Sequence, residues 1–122
     1  MTVVLDASAI LAFVQDEDGA DVVETALAEH PRCGAANWSE VAQKVLANGR
    51  DWDLVRALLV SYGIRIEPVV LEDAEWAGRR WKRSEGLSLA DRLCLALAER
   101  SDSEVLTADN TWGTAGRVRQ IR

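Results

Sequence analysis

Val3-Val4-Leu5-Asp6-Ala7-Ser8 is the stretch that decides the fold class of this chain. Three apolar residues, two of them β-branched, run directly into an acid, which is typical of a short buried strand that ends at Asp6. Ser8 is then expected to cap a helix that continues through Leu11 and Phe13. A buried strand that passes straight into a helix is the unit from which parallel sheets are built.

The same alternation of strand and helix continues along the whole chain. Short apolar runs predict further strands at 33–36, 64–70 and 104–107, with an edge strand at 118–121. Helical spacing of apolar residues predicts helices between them, including helices that open at Asn37 and at Ser88 and one over 72–84. This order predicts an α/β fold, a three-layer sandwich with a mostly parallel central sheet of four to five strands flanked by helices. Residues 1–122 are expected to form a single domain.

The composition excludes several classes of protein. The 122 residues are 48% hydrophobic and 28% charged, which is typical of a globular domain and not of a disordered chain. No apolar run approaches the ~18 residues that a membrane span needs, and the first residues lack a basic segment, so we expect a cytoplasmic protein without a signal peptide. Cys33 and Cys94 lie in apolar surroundings and are expected to be reduced core residues. The net charge of −6 argues against nonspecific coating of nucleic acid.

Four acids follow predicted strands or begin predicted helices: Asp6, Glu40, Asp91 and Asp109. Each has an ordinary structural interpretation. Asn37-Trp-Ser-Glu40 and Ser88-Leu-Ala-Asp91 both fit a capping box, and Asp6 and Asp109 fit turn or cap positions. In a parallel sheet, however, the carboxyl ends of the strands meet at one edge, where ligands bind. The four acids are therefore expected to cluster.

A cluster of carboxylates is electrostatically unfavourable unless cations offset the repulsion. Oxygen ligands without nitrogen or sulfur select Mg²⁺ or Mn²⁺, and such ions activate water for attack on phosphodiesters. Ser8 and Thr107 each lie two residues from one of the acids, so their hydroxyls either orient a carboxylate or simply cap a helix.

A site of this kind needs basic residues near it if its substrate is a polyanion. The densest basic run surrounds Trp81, and Arg92 adjoins Asp91, so these side chains are candidates for contact with the phosphates of a nucleic acid: Arg79, Arg80, Lys82, Arg83 and Arg92. The alternative is an exposed helix face with solvated charges. Neither lysine of the chain, Lys44 or Lys82, is expected at the acidic site as a general base.

The order of four short strings resembles one protein family. Leu5-Asp-Ala-Ser8, Glu40 after Asn37, Leu87-Ser-Leu-Ala-Asp91, and Leu106-Thr-Ala-Asp109 followed by Trp112 together resemble a PIN domain, and within that group the VapC toxins. The resemblance covers essentially the whole chain and implies a PIN-like fold.

The resemblance also implies a function. It implies a metal-dependent endoribonuclease that acts as the toxin of a type II toxin–antitoxin system, with Asp6, Glu40, Asp91 and Asp109 as metal-binding catalytic residues. It further implies a homodimer and a cognate VapB-like antitoxin. The alternative is a catalytically inactive PIN-fold scaffold that binds RNA or a protein. A phosphotransfer receiver domain or an aspartate-based phosphatase fits poorly, because each needs an additional acid near Asp6.

Overall fold

The structure, a computed structural model, describes residues 2–122. These residues form five short strands and six α-helices, and two helices follow each of the first three strands. The strands are β1 (Val3–Leu5), β2 (Arg32–Gly34), β3 (Arg65–Glu67), β4 (Glu104–Thr107) and β5 (Val118–Gln120). The helices are α1 (Ala7–Val14), α2 (Ala20–Leu27), α3 (Ala35–Ala47), α4 (Trp52–Ser61), α5 (Leu71–Arg80) and α6 (Leu89–Arg100), with a single 3₁₀ turn at Asn110–Trp112. No helix of residues 2–122 is long and apolar enough to cross a membrane.

The five strands form one sheet in the order β3-β2-β1-β4-β5, and every neighbouring pair is parallel. Successive connections move outward from β1 to β3, and the chain then returns to place β4 on the other side of β1. The strand order therefore reverses between β1 and β4. In open α/β sheets, a reversal of this kind leaves a crevice at the carboxyl ends of the two strands.

Adjacent residues of a strand point to opposite faces of the sheet. Both faces carry apolar side chains, and helices cover both. Leu5 and Leu106 are buried with residues of α1 to α4 on one face. Val4 and Val105 are buried on the other face, against Cys94 and its neighbours in α6. The prediction of a three-layer α/β sandwich is confirmed, and so is the burial of both cysteines, which are unpaired thiols. The sheet is entirely parallel rather than mostly parallel.

Several predicted boundaries are wrong by a few residues. The second strand ends at Gly34 instead of residue 36, so α3 begins at Ala35 and not at Asn37. The third strand covers only Arg65–Glu67, and α5 ends at Arg80 rather than continuing to residue 84. The helix after β1 is capped by Asp6, whose side chain accepts a hydrogen bond from the backbone N–H of Ala9, and not by Ser8. Apolar periodicity does not distinguish the first turn of a helix from the end of a strand when the residues are small.

Candidate active site

Asp6 lies at the end of β1, beside the point where the strand order reverses. Its side chain is buried, with only 3% of the residue exposed. Burial raises the pKa of Asp6 to about 6, although hydrogen bonds from Thr107, Ala9 and Ser8 act in the opposite direction, and the negative charge of Asp91 raises it further. A buried carboxylate with a raised pKa at the mouth of a parallel sheet is typical of a functional group rather than a structural one.

Two hydroxyls fix the orientation of the Asp6 carboxylate. Thr107 Oγ1, at the end of β4, donates to Asp6 Oδ2 at 2.6 Å. Ser8 Oγ lies 2.8 Å from Oδ1 and 2.9 Å from Oδ2, so its single proton is shared between the two oxygens. Ser8 Oγ also accepts from the backbone N–H of Ala108 at 2.9 Å, which ties α1 to the segment after β4. Of the two interpretations of Ser8 and Thr107, the geometry favours orientation of a carboxylate over helix capping.

Glu40 lies in α3, and a buried amide holds it in place. Asn37 is 1% exposed, and its Nδ2 donates to Glu40 Oε1 at 3.1 Å and to the carbonyl of Ala90 at 3.3 Å. Burial raises the pKa of Glu40, the bond from Asn37 lowers it, and the charge of Asp91 raises it. The predicted capping box at 37–40 is wrong, since Gly34 is the N-cap of α3. Asn37 instead links Glu40 to the beginning of α6.

Asp91 and Asp109 keep their capping roles and still face the same cavity as Asp6. Asp91 Oδ2 accepts from the backbone N–H of Ser88 at 2.9 Å, which confirms the second predicted capping box. Asp109 Oδ1 accepts from the backbone N–H of Thr111 at 2.9 Å. In residues 2–122 the second carboxylate oxygen of each aspartate has no protein hydrogen bond. Capping therefore uses only part of each side chain and leaves an acceptor for a ligand.

All four predicted acids line one cavity of about 410 Å³. The other six lining residues belong to α1 or α3. The complete set is Asp6, Ala7, Ser8, Leu11, Glu40, Gln43, Lys44, Ala47, Asp91 and Asp109. Asp6, Glu40, Asp91 and Asp109 thus line the same cavity, and the charge of Asp91 raises the pKa of both Asp6 and Glu40.

The donor set suits a hard divalent cation, because only oxygen ligands face the cavity from its acids. Within residues 2–122, however, no three histidine, cysteine, aspartate or glutamate side chains lie close enough together to hold a metal ion as they stand. Glu40 accepts a hydrogen bond from Asn37, and Asp91 accepts one from the backbone N–H of Ser88.

The predicted basic residues do not line this cavity. They lie on α5, on the loop that follows it, and on α6: Arg79, Arg80, Lys82, Arg83 and Arg92. Two of these side chains form hydrogen bonds within the protein. Arg80 forms a bidentate pair with Glu85 at 2.7 and 3.0 Å, and Arg92 Nη1 donates to the carbonyl of Ala77 at 2.7 Å.

The other three basic side chains are exposed. Arg79 pairs with Glu75 one helical turn away, and the Arg83 guanidinium lies 5.6 Å from the centroid of the Trp81 ring. Trp81 is itself 52% exposed, so a stacking surface for a base is present beside these charges. Contact of these residues with RNA stays a prediction.

Three residues of the site were not identified from the sequence. Asn37 supports Glu40, and Gln43 and Lys44 line the cavity. The sequence indicates Gln43 and Lys44, because residues three and four positions after Glu40 share its face of a helix. Lys44 therefore lines the cavity. That no lysine acts there as the general base stays a prediction.

We expect Asn37→Ala to lower the free energy of unfolding by about 1–3 kcal/mol, because it leaves the Ala90 carbonyl and Glu40 without their shared donor. Urea denaturation measures this change. Ser39→Ala, an exposed position in the same helix, is the matched control. Equal denaturation midpoints for the two variants would contradict a supporting role for Asn37.

Comparison with known proteins gives the family. The PIN domain model matches residues 3–117, from the first strand to the residue before β5. The chain belongs to the PIN-domain family. The four acids that resemble the family's pattern all fall within the matched region of this PIN domain.

A curated relative and two solved structures refine the comparison. Ribonuclease VapC42 of Mycobacterium tuberculosis is 33% identical over 114 residues, which cover 84% of this PIN domain and 87% of the relative. The fold is also similar to a chain of a toxin–antitoxin complex from Klebsiella pneumoniae, with a TM-score of 0.82 at 16% identity, covering 99% of this chain and 98% of that one. VapC20 of M. tuberculosis, described as a sarcin–ricin loop cleaving toxin, gives 0.75 at 16% identity, with 96% and 97% coverage. The resemblance to PIN domains of the VapC type is confirmed.

Proposed function

We propose that this PIN domain is an endoribonuclease that depends on Mg²⁺ or Mn²⁺ and acts as the toxin of a type II toxin–antitoxin pair. The observation that carries the proposal is the cavity at the reversal of strand order, which Asp6, Glu40, Asp91 and Asp109 all line. The 33% sequence identity with a curated VapC ribonuclease supports RNA as the substrate.

Some of these residues would bind the cation, and others orient the carboxylates. Asp6, Asp91 and Asp109 would bind the cation, with Glu40 beside them, while Ser8 and Thr107 keep the Asp6 carboxylate turned toward the cavity. When bound, the cation would lower the pKa of water and offset the negative charge of the phosphodiester. Asn37 and the capping box at Ser88 keep Glu40 and Asp91 on the correct side of the cavity.

In-line attack of water on the phosphorus, with the 3′-oxygen as the leaving group, would leave a 5′-phosphate and a 3′-hydroxyl on the RNA fragments. We expect these ends from the similarity to metal-dependent nucleases. End-group analysis of the fragments by mass spectrometry measures this. A 2′,3′-cyclic phosphate would contradict the proposed reaction, since it arises from attack by the RNA itself.

A second function is favoured by one observation. The acids do not converge tightly on a single point in residues 2–122, which fits a scaffold that keeps the fold and binds RNA or a protein without cleaving it. Such a scaffold would gain no stability from Mn²⁺, and this outcome separates the two functions.

The proposed partner is a VapB-like antitoxin. Two of the solved structures with this fold are described as complexes of a toxin with its antitoxin or with antitoxin and promoter DNA. A basic segment of such a partner would be attracted to the acidic cavity and would exclude RNA from it. Formation of a homodimer stays a prediction.

A further inference from the structure

One basic side chain lies among the residues that line the acidic cavity within residues 2–122. Lys44 is in α3, four residues after Glu40, so that the two side chains share a helix face about one turn apart. Lys44 is exposed, and it takes part in none of the ion pairs of residues 2–122, not even with Glu40. Its ammonium is therefore available to a ligand.

The ammonium of Lys44 can offset the repulsion between the acidic cavity and an RNA strand. Four carboxylates repel an RNA strand, and the candidate basic residues of α5 and α6 do not line the cavity. A lysine ammonium is a compact point charge that binds phosphate oxygens well and reaches them on a flexible stem. Placed at the rim, one turn from Glu40, it can attract the strand without competing for the position between the acids.

We propose that Lys44 binds a phosphate of the RNA strand and so positions the strand over the acidic cavity. This inference rests on the proposed function and specifies how its substrate is held. The ammonium donates hydrogen bonds to non-bridging oxygens of a phosphate next to the one that is cleaved. Lys44 is a positioning residue, and its contact is made before the reaction as well as during it.

The experiment compares the wild type with Lys44→Gln, Lys44→Arg and Arg56→Gln. Arg56 is an exposed residue of α4 that does not line the cavity, so its variant loses the same charge elsewhere. Cleavage of a fluorescein-labelled single-stranded RNA with Mn²⁺ is measured between about 50 and 200 mM NaCl. A parallel fluorescence-anisotropy titration with Mg²⁺ measures binding of the same RNA.

We expect Lys44→Gln to raise KM about tenfold with kcat changed less than ~2-fold, since a ground-state contact is lost. The slope of log affinity against log salt should become shallower by about 0.7, the value for one phosphate contact on a single strand. Lys44→Arg should restore most of the affinity, and Arg56→Gln should behave as the wild type.

An unchanged KM and salt slope in Lys44→Gln, or an equal change in Arg56→Gln, would overturn the inference. Failure of the proposed function has a different signature. If the wild type binds RNA but does not cleave it, and Lys44→Gln weakens that binding, the role of Lys44 stands and hydrolysis does not. If the wild type neither binds nor cleaves RNA, both are overturned.

Discussion

Asp6→Asn should make the protein more stable above about pH 6 and leave its stability nearly unchanged at about pH 4. The pKa of Asp6 is about 6 in the folded protein, against 3.8 for an ordinary aspartate. Between these values the folded state keeps a proton that the unfolded state has released. The free energy of unfolding of the wild type therefore falls as the pH rises through this window, by about 3 kcal/mol in total. Asparagine is neutral at every pH and avoids that loss.

Urea denaturation at several pH values in EDTA measures this effect. The side chain of asparagine still offers an oxygen to the backbone N–H of Ala9, so the cap of α1 is kept. Asp18→Asn, at an exposed aspartate, is the matched control. Parallel pH profiles for the wild type and Asp6→Asn would mean that the burial of this carboxylate has no energetic cost.

Mn²⁺ should stabilise the wild type strongly and Asp91→Asn much less. A cation present at about 100 times its dissociation constant contributes about 3 kcal/mol, which is roughly 10 °C in Tm for a domain of this size. Without metal, Asp91→Asn should melt above the wild type, because the charge of Asp91 raises the pKa of both Asp6 and Glu40. The substitution keeps an oxygen for the backbone N–H of Ser88, so the cap of α6 survives.

Thermal melts with EDTA, Mg²⁺ and Mn²⁺ measure both parts of this prediction. Asp18→Asn again controls for the loss of one negative charge from an exposed position. If Mn²⁺ raises the Tm of Asp91→Asn as much as that of the wild type, Asp91 does not take part in binding the cation.

Residue type and order are enough to predict the layers of the fold and that the four acids face one cavity. Val3-Val4-Leu5 is a short apolar run with two β-branched residues, which favours a buried strand, and an acid that follows such a strand lies at the carboxyl edge of a parallel sheet. Parallel pairing also requires long crossovers, which the intervening helices supply. These arguments depend on residue type and order, both of which are visible in the sequence.

Details that depend on geometry between elements were not predictable. Nothing local to Ser8 distinguishes a helix cap from a hydroxyl that reaches Asp6 and Ala108, because the second partner is 100 residues away. The role of Asn37 depends on α6 approaching α3, and a pattern within one helix cannot predict that approach. Capping and ligand binding look like alternatives for Asp91 in the sequence, but one carboxylate has two oxygens, and only one of them accepts the bond from Ser88.

The basic residues illustrate the same limit. Arg80 and Arg92 are close to Trp81 and Asp91 along the chain, which made them candidates for RNA contact. In the fold, Arg80 pairs with Glu85, and Arg92 donates a hydrogen bond to the Ala77 carbonyl. Lys44 is distant from any basic cluster in the sequence, and only the packing of α3 against the sheet brings it to the cavity.

The most direct test of the account is cleavage of a labelled RNA by the purified protein with Mn²⁺, with Mg²⁺ and with EDTA, beside Asp6→Asn prepared in the same way. We expect cleavage that requires the cation and falls at least ~100-fold in the folded variant. Equal cleavage in both preparations, or cleavage that persists in EDTA, would contradict it.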